Sequence, residues 1–137
     1  EYTYPIIKKL SNEGIKLNIT AIFTKEQTRL VYASLNPKVN SIISIFAGRI
    51  ANAGVDPEEI MQFATKLASG DENIETLWAS SREVFNIIQA ERCGTDIITL
   101  TPALIKGMED LGKDLDQYSL ETVKMFYDDA QQSGFSL

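Results

Sequence analysis

The sequence predicts an α/β fold built from parallel strand–helix units, and three observations predict it. Short runs rich in β-branched residues alternate with stretches of helical periodicity. Several of those stretches open on a helix-start signal. Hydroxyl, amide and guanidinium side chains recur near the carboxyl end of one strand run after another. One helix followed by four strand–helix repeats implies a parallel sheet with right-handed crossovers. Two closures satisfy that order: an open doubly wound sheet, or part of an eight-stranded barrel. In both, ligands gather at the carboxyl ends of the strands.

Pro5 suits a first helical turn, and Ile6, Ile7 and Leu10 form an apolar stripe that runs out near Gly14. Ile15 to Phe23 reads as the first strand, with Leu17, Ile19 and Ala21 on one face and Lys16, Asn18 and Thr20 on the other. Thr24, with Gln27 three residues on, is a capping-box start for a helix that carries Leu30, Val31 and Leu35 and breaks at Asn36-Pro37. Asn40 to Ile50 holds the second strand, with Ile42, Ser44 and Phe46 on one face and Ile43 and Ile45 on the other. It ends in Ala47-Gly48-Arg49, a glycine suited to close approach followed by a side chain that forks onto phosphate or carboxylate.

Asp56-Pro57-Glu58-Glu59 supplies a cap, a first-position proline and first-turn acids for a helix with Ile60, Phe63, Ala64 and Leu67 inward, closed by Gly70. Thr76 to Ser80 is the third strand. Ser80 and Glu83 are spaced to cap the next helix, which carries Val84, Ile87 and Ile88 and ends near Cys93-Gly94. Asp96 to Thr101 is the fourth strand, followed by Pro102 and a short helix through Met108. Ser119 opens a last helix with Val123, Phe126, Tyr127 and Ala130 inward, and Gln131 to Leu137 forms a loose polar tail.

With 137 residues, 44% of them hydrophobic, the chain is one domain's worth and can bury a real core. Its net charge of -6 argues against a nucleic-acid or anionic-membrane surface, so any anion it binds is captured locally. Cys93 is the one cysteine and there is no histidine. That excludes an internal disulfide and imidazole-assisted nucleophiles from this chain alone, disfavours a zinc site, and fits a cytoplasmic setting. The sequence shows neither a signal-peptide pattern nor an apolar run of transmembrane length. It starts at Glu1 without a methionine, as a processed or truncated piece would.

Asn18 and Thr20, Ser44, Ser80, and Thr99 with Thr101 occupy alternate positions near the carboxyl ends of the four strands. Arg49 and Arg82 follow the second and third. Singly, the threonines serve as β-formers or caps, Ser80 as a cap, and each arginine as a solvated charge. Jointly they outline a polar pocket on an apolar scaffold. Lys16 sits at the amino end of its strand and Lys106 on the short helix, both as solvated lysines. Phe46 and Trp78 read as core or pocket wall, and no carboxylate lies on the pocket faces for two-acid chemistry.

Leu17-Asn18-Ile19-Thr20, Ser44-Ile45-Phe46-Ala47-Gly48-Arg49-Ile50 and Ala79-Ser80-Ser81-Arg82 together resemble the transaldolase family, which includes short fructose-6-phosphate aldolase-like members. The likeness runs from about Gly14 to the last helix. It implies the last four strands of a (β/α) eight-fold barrel that acts through a lysine Schiff base on a ketose phosphate and passes a dihydroxyacetone unit to an aldehyde. By the same resemblance Asn18 binds the intermediate's hydroxyls, Thr20 holds a catalytic water, Ser44 bonds the sugar, and Arg49, Ser80 and Arg82 bind the phosphate. No cofactor is called for. Ile45 stands where many members have proline, and Ser81 where many have phenylalanine or isoleucine.

The resemblance places the Schiff-base lysine on the strand before Glu1, outside the sequence. Such a barrel takes roughly 250 residues, so 137 is about half of one. The expectation is a carboxyl-terminal half-barrel over residues 1–137 that pairs with its other half or oligomerises to cover its edge strands. Two function classes remain at this stage: the sugar-binding half of an enzyme, or a phosphate-binding assembly module without chemistry of its own.

Overall fold

The computed structural model describes residues 3–134. They fall into two compact units, the first ending at Lys106 and the second beginning at Gly107. The first unit is a four-stranded parallel sheet of β1 (Leu17–Ile22), β2 (Ser41–Ile45), β3 (Ile74–Trp78) and β4 (Ile97–Ile98), in the order β1-β2-β3-β4. Its helices are α1 (Thr3–Asn12), α2 (Lys25–Tyr32), α3 (Ala47–Asn52), α4 (Glu58–Ala68), α5 (Phe85–Arg92) and α6 (Pro102–Gly107). The strand order is consecutive, with no reversal of the kind that gives a doubly wound sheet its switch point. It is the order of successive staves in a barrel, and the fold is consistent with half of one.

One face of the sheet carries the core. Ser41, Ile43 and Ile45 of β2 register with Ile74, Thr76 and Trp78 of β3, all of them buried. Val31 of α2 and Met61, Ala64 and Ala68 of α4 belong to the same apolar cluster. The other face presents Asn18, Ile42 and Glu75 across one level of the sheet, with Asn18 and Glu75 exposed.

Several elements differ from the sequence expectation for identifiable reasons. In α1 the buried face is Ile7 and Ser11, while Ile6 is 55% exposed. Ser11 turns inward because its hydroxyl accepts the Asn36 backbone N–H at 2.8 Å. Met61 joins the inward stripe of α4, with Phe63 and Leu67 only half-buried. The second strand stops at Ile45, and a short helix, α3, begins at Ala47, so Arg49 stands on a helix and not in a loop. The fourth strand shrinks to two residues. Asp96 is not part of it, because its carboxylate accepts the Thr76 backbone N–H at 2.7 Å and the Thr76 hydroxyl at 2.9 Å.

The second unit holds a 3-10 turn, Met108–Asp110, and α7, Leu115–Gln132. Asp114, not Ser119, opens that helix, accepting the Gln117 N–H at 2.9 Å. Lys113 is held between Asp110 (3.2 Å) and Glu121 (2.6 Å), and both contacts raise its pKa. Val123, Phe126 and Tyr127 are exposed, not inward: among its described residues this unit has one long helix and no second layer to bury them. Of the expected polar tail, residues 135–137 lie outside the described residues. No helix among the described residues is long and apolar enough to cross a membrane.

Candidate functional site

Backbone hydrogen bonds knit the carboxyl ends of the strands together. Phe46 donates to the Ile22 carbonyl (2.9 Å), Ala79 to Ile45 (2.8 Å) and Thr99 to Trp78 (3.0 Å). The three segments that carry the candidate polar residues therefore start from one fixed rim.

At the end of β1 the ladder slips. Ile19 pairs with Ile43 and Ile22 with Ile45, so three steps on β1 face two on β2. The extra residue is a bulge, and Ala21 within it has φ 59°. The bulge lets Ile22, not Ala21, take the buried position, leaving Ala21 exposed. Thr20 stays beside it, also exposed. Beyond the bulge the expected capping box forms: the Thr24 hydroxyl accepts the Gln27 N–H (3.1 Å), while Gln27 Oε1 accepts the Thr24 N–H (3.1 Å) and the Phe23 N–H (2.9 Å).

Ser44 of β2 is 2% exposed, and its hydroxyl donates to Asn18 Oδ1 at 2.6 Å. This neutral pair joins adjacent strands and turns the Asn18 amide so that its NH2 is the end left to donate. Two residues on, Phe46 packs on Phe23, ring centroids 5.9 Å apart, and the Arg49 guanidinium lies 5.4 Å from the Phe46 centroid. That stack limits where an otherwise exposed arginine can point.

Gly48 makes the contact between the second and third strand ends. A Cβ there would lie 1.7 Å from the Ser80 carbonyl oxygen and 3.0 Å from Arg82 Cγ. Only hydrogen fits, so the glycine is a requirement of the approach. The turn bearing Arg49 and the turn bearing Arg82 are thus in van der Waals contact. Among the described residues neither guanidinium is ion-paired with a carboxylate.

The third turn is pinned from several sides. Ser80 sits at φ 64°, a conformation that costs a non-glycine residue about 1–2 kcal/mol. The Ser81 hydroxyl donates to the Thr99 carbonyl at 2.8 Å. Asn86 Oδ1 accepts the backbone N–H groups of Arg82 (2.8 Å) and Glu83 (3.2 Å). The expected Ser80–Glu83 cap does not form, since the left-handed turn carries Ser80 away from the helix start and Asn86 takes that task. Asn86 and Gln89 were not singled out in the sequence. The signal available was an amide three residues after Glu83, the spacing of a capping-box partner.

The structure thus brings Asn18 and Ser44 into direct contact and sets Ser80 and Arg82 against the Arg49 turn. Thr20 has the same rim position but contacts none of these residues by hydrogen bond. Thr101 is a helix cap, its hydroxyl accepting the Leu104 N–H at 3.3 Å. Thr99 makes only a long bond of 3.5 Å back to Trp78 O. Lys16 precedes β1, and Lys106 is exposed on α6. Cys93 is buried at the end of α5, and that burial pushes its thiol up to about 11. No group of three or more acidic or cysteine side chains among the described residues is placed to hold a metal.

Residues 1–137 match the family model described as Transaldolase/Fructose-6-phosphate aldolase. The chain is 34% identical over 122 residues to a probable transaldolase of Paracoccus denitrificans, an alignment covering 85% of this chain and 54% of that one. It is 31% identical over 103 residues to a probable transaldolase of Nitrosopumilus maritimus, covering 74% and 45%, and 34% identical over 103 residues to one of Ruegeria sp., with the same coverages. The chain therefore spans about half the length of these curated relatives. The family match over residues 1–137, together with the parallel strand–helix fold, establishes that this chain belongs to the transaldolase/fructose-6-phosphate aldolase family.

Proposed function

We propose that this chain supplies the sugar- and phosphate-binding half of a transaldolase-type active site. The whole enzyme would transfer a dihydroxyacetone unit from a ketose phosphate to an aldehyde acceptor through a lysine Schiff base. The observation that carries the proposal is the close approach of Gly48 to Ser80 and Arg82, which brings the loop bearing Arg82 against the start of the helix bearing Arg49 at the carboxyl rim of a parallel sheet, neither arginine being ion-paired with a carboxylate among the described residues. Two guanidinium forks and the Ser80 hydroxyl suit the three oxygens of a phosphate monoester.

The Asn18–Ser44 pair, one strand over, takes the sugar hydroxyls: the Asn18 NH2 donates, and Ser44 fixes the amide that presents it. Thr20, held on the rim by the bulge, positions the water that enters and leaves with Schiff-base formation and hydrolysis. We assign the lysine itself to a strand outside these 137 residues. Of the lysines here, Lys16 precedes β1, Lys106 stands on α6, and Lys25, three residues past β1, is ion-paired with Glu59 at 3.2 Å. The exposed edges of β1 and β4 are the surfaces on which the rest of a barrel would pair.

Inorganic phosphate should raise the melting temperature of the chain by a few degrees, and Arg49→Ala or Arg82→Ala should each abolish most of that rise. A melting temperature indifferent to phosphate would remove the site. For the chemistry, borohydride with fructose 6-phosphate should trap a covalent adduct on protein that includes the preceding half, and none on residues 1–137. Phosphate binding without any adduct on the longer, folded protein would leave a binding module and reject the enzyme.

A further inference from the structure

Asn86 is 6% exposed and belongs to no part of the site described above except through the backbone it holds. Its Oδ1 sits between two consecutive N–H groups, those of Arg82 and Glu83. Successive backbone N–H groups converging on one oxygen are the geometry of an anion-binding nest. Here the oxygen is a neutral amide from the same chain. The nest is already filled.

The direction of the amide is fixed by a chain of bonds that starts at a carboxylate. Glu58 Oε1 can only accept, so Gln89 turns its Nε2 toward it, at 3.0 Å. Gln89 Oε1 is then the acceptor for Asn86 Nδ2, at 2.8 Å. Asn86 must therefore turn Oδ1 to the loop. Arg92, 3.8 Å from Glu58, adds a cation at the far end of the chain.

We propose that Asn86 is a positioning residue for Arg82. It occupies the two backbone donors of this turn, so that an anion there is held by side chains, the Arg82 guanidinium and the Ser80 hydroxyl, and not by the loop amides. This rests on the phosphate-site proposal above. The molecule provides its own control. Gln27 Oε1 accepts the N–H groups of Phe23 and Thr24 in the same manner, on a loop that carries no arginine.

The test is the dissociation constant for inorganic phosphate, measured by calorimetry on the 137-residue chain well below the melting temperature of each variant. Asn86→Ala should weaken phosphate about fivefold, the scale of one lost hydrogen-bonding partner, while Gln27→Ala leaves it unchanged at a similar loss of melting temperature. Gln89→Met keeps Asn86 but removes the bond that orients it. It should weaken phosphate about twofold, and it carries the test if Asn86→Ala does not fold.

Unchanged affinity in both α5 variants would reduce Asn86 to a structural cap and overturn the proposal. Tighter binding in Asn86→Ala would overturn it too, because the freed amides would then be the better anion donors. An equal weakening in Gln27→Ala would do the same. Failure of the wild-type chain to bind phosphate at all would instead sink the site itself, and the role of Asn86 with it.

Discussion

The loop after β1 and the loop after β3 are built by one device and put to different uses. Each follows a non-glycine residue in the left-handed region, Ala21 in the bulge within β1 at φ 59° and Ser80 just past the end of β3 at φ 64°. Six positions later in each, an amide side chain, Gln27 or Asn86, reaches back to accept from the residues three and four before it. The β1 loop does this with a half-buried glutamine and a reciprocal Thr24–Gln27 box. The β3 loop does it with a buried amide, the Ser81–Thr99 bond and the Gly48 approach besides, and it carries Arg82. Equivalent backbone work yields a helix start in one loop and a pinned backbone beneath Arg82 in the other. The difference lies in what is packed around the turn.

The largest effect that separates the two loops should come from Gly48, since only the β3 loop is in its path. Gly48→Ala puts a methyl group 1.7 Å from the Ser80 carbonyl oxygen and should cost about 3 kcal/mol in urea unfolding, with the phosphate-induced rise in melting temperature lost in whatever folds. A variant of near wild-type stability that still responds to phosphate would mean the two turns are not in fact locked together.

Much of this was legible in the sequence, and the rest was not for physical reasons. The parallel order, the Thr24–Gln27 box and the close-approach glycine all follow from local chemistry: periodicity, capping spacing, and a glycine where a strand run ends. The bulge at Thr20–Ala21 was not legible, because Ala21 has no intrinsic preference for φ above zero and is driven there so that Ile22 can be buried opposite Ile45. The short β4 was hidden similarly: Asp96 reads as a strand neighbour until its carboxylate is seen taking the Thr76 donors. Asn86 shows in the sequence only as an amide three residues after Glu83; its link to Arg82 does not show, because it runs through backbone N–H groups. Thr20, Ser44, Arg49, Ser80 and Arg82 fall toward or just past the carboxyl ends of their strands because a parallel sheet gathers those ends on one side, whereas Asn18, expected there too, is the second residue of β1 and lies toward its amino end.

A smaller effect sharpens the likeness of the two loops. Ala21→Gly and Ser80→Gly should each raise stability by about 0.5 kcal/mol, the relief of a left-handed residue offset by the greater freedom of glycine in the unfolded chain. Thermal unfolding checks both. The comparison predicts that they agree in stability and part in function: Ser80→Gly should weaken phosphate binding, since it removes the hydroxyl proposed to contact the anion, while Ala21→Gly should leave binding intact. Loss of stability in either would mean that the left-handed turn is held by more than its backbone.

The central claim is that Arg49 and Arg82, delivered by two different turns, hold one anion between them. The most direct test is a double-mutant cycle in phosphate affinity with Arg49→Ala, Arg82→Ala and both together, followed at constant ionic strength. A single shared site predicts that the double variant loses little beyond the larger single loss, so that the two effects fall well short of adding. Additive losses, or a loss confined to one arginine, would contradict it and separate the two turns into independent cationic surfaces.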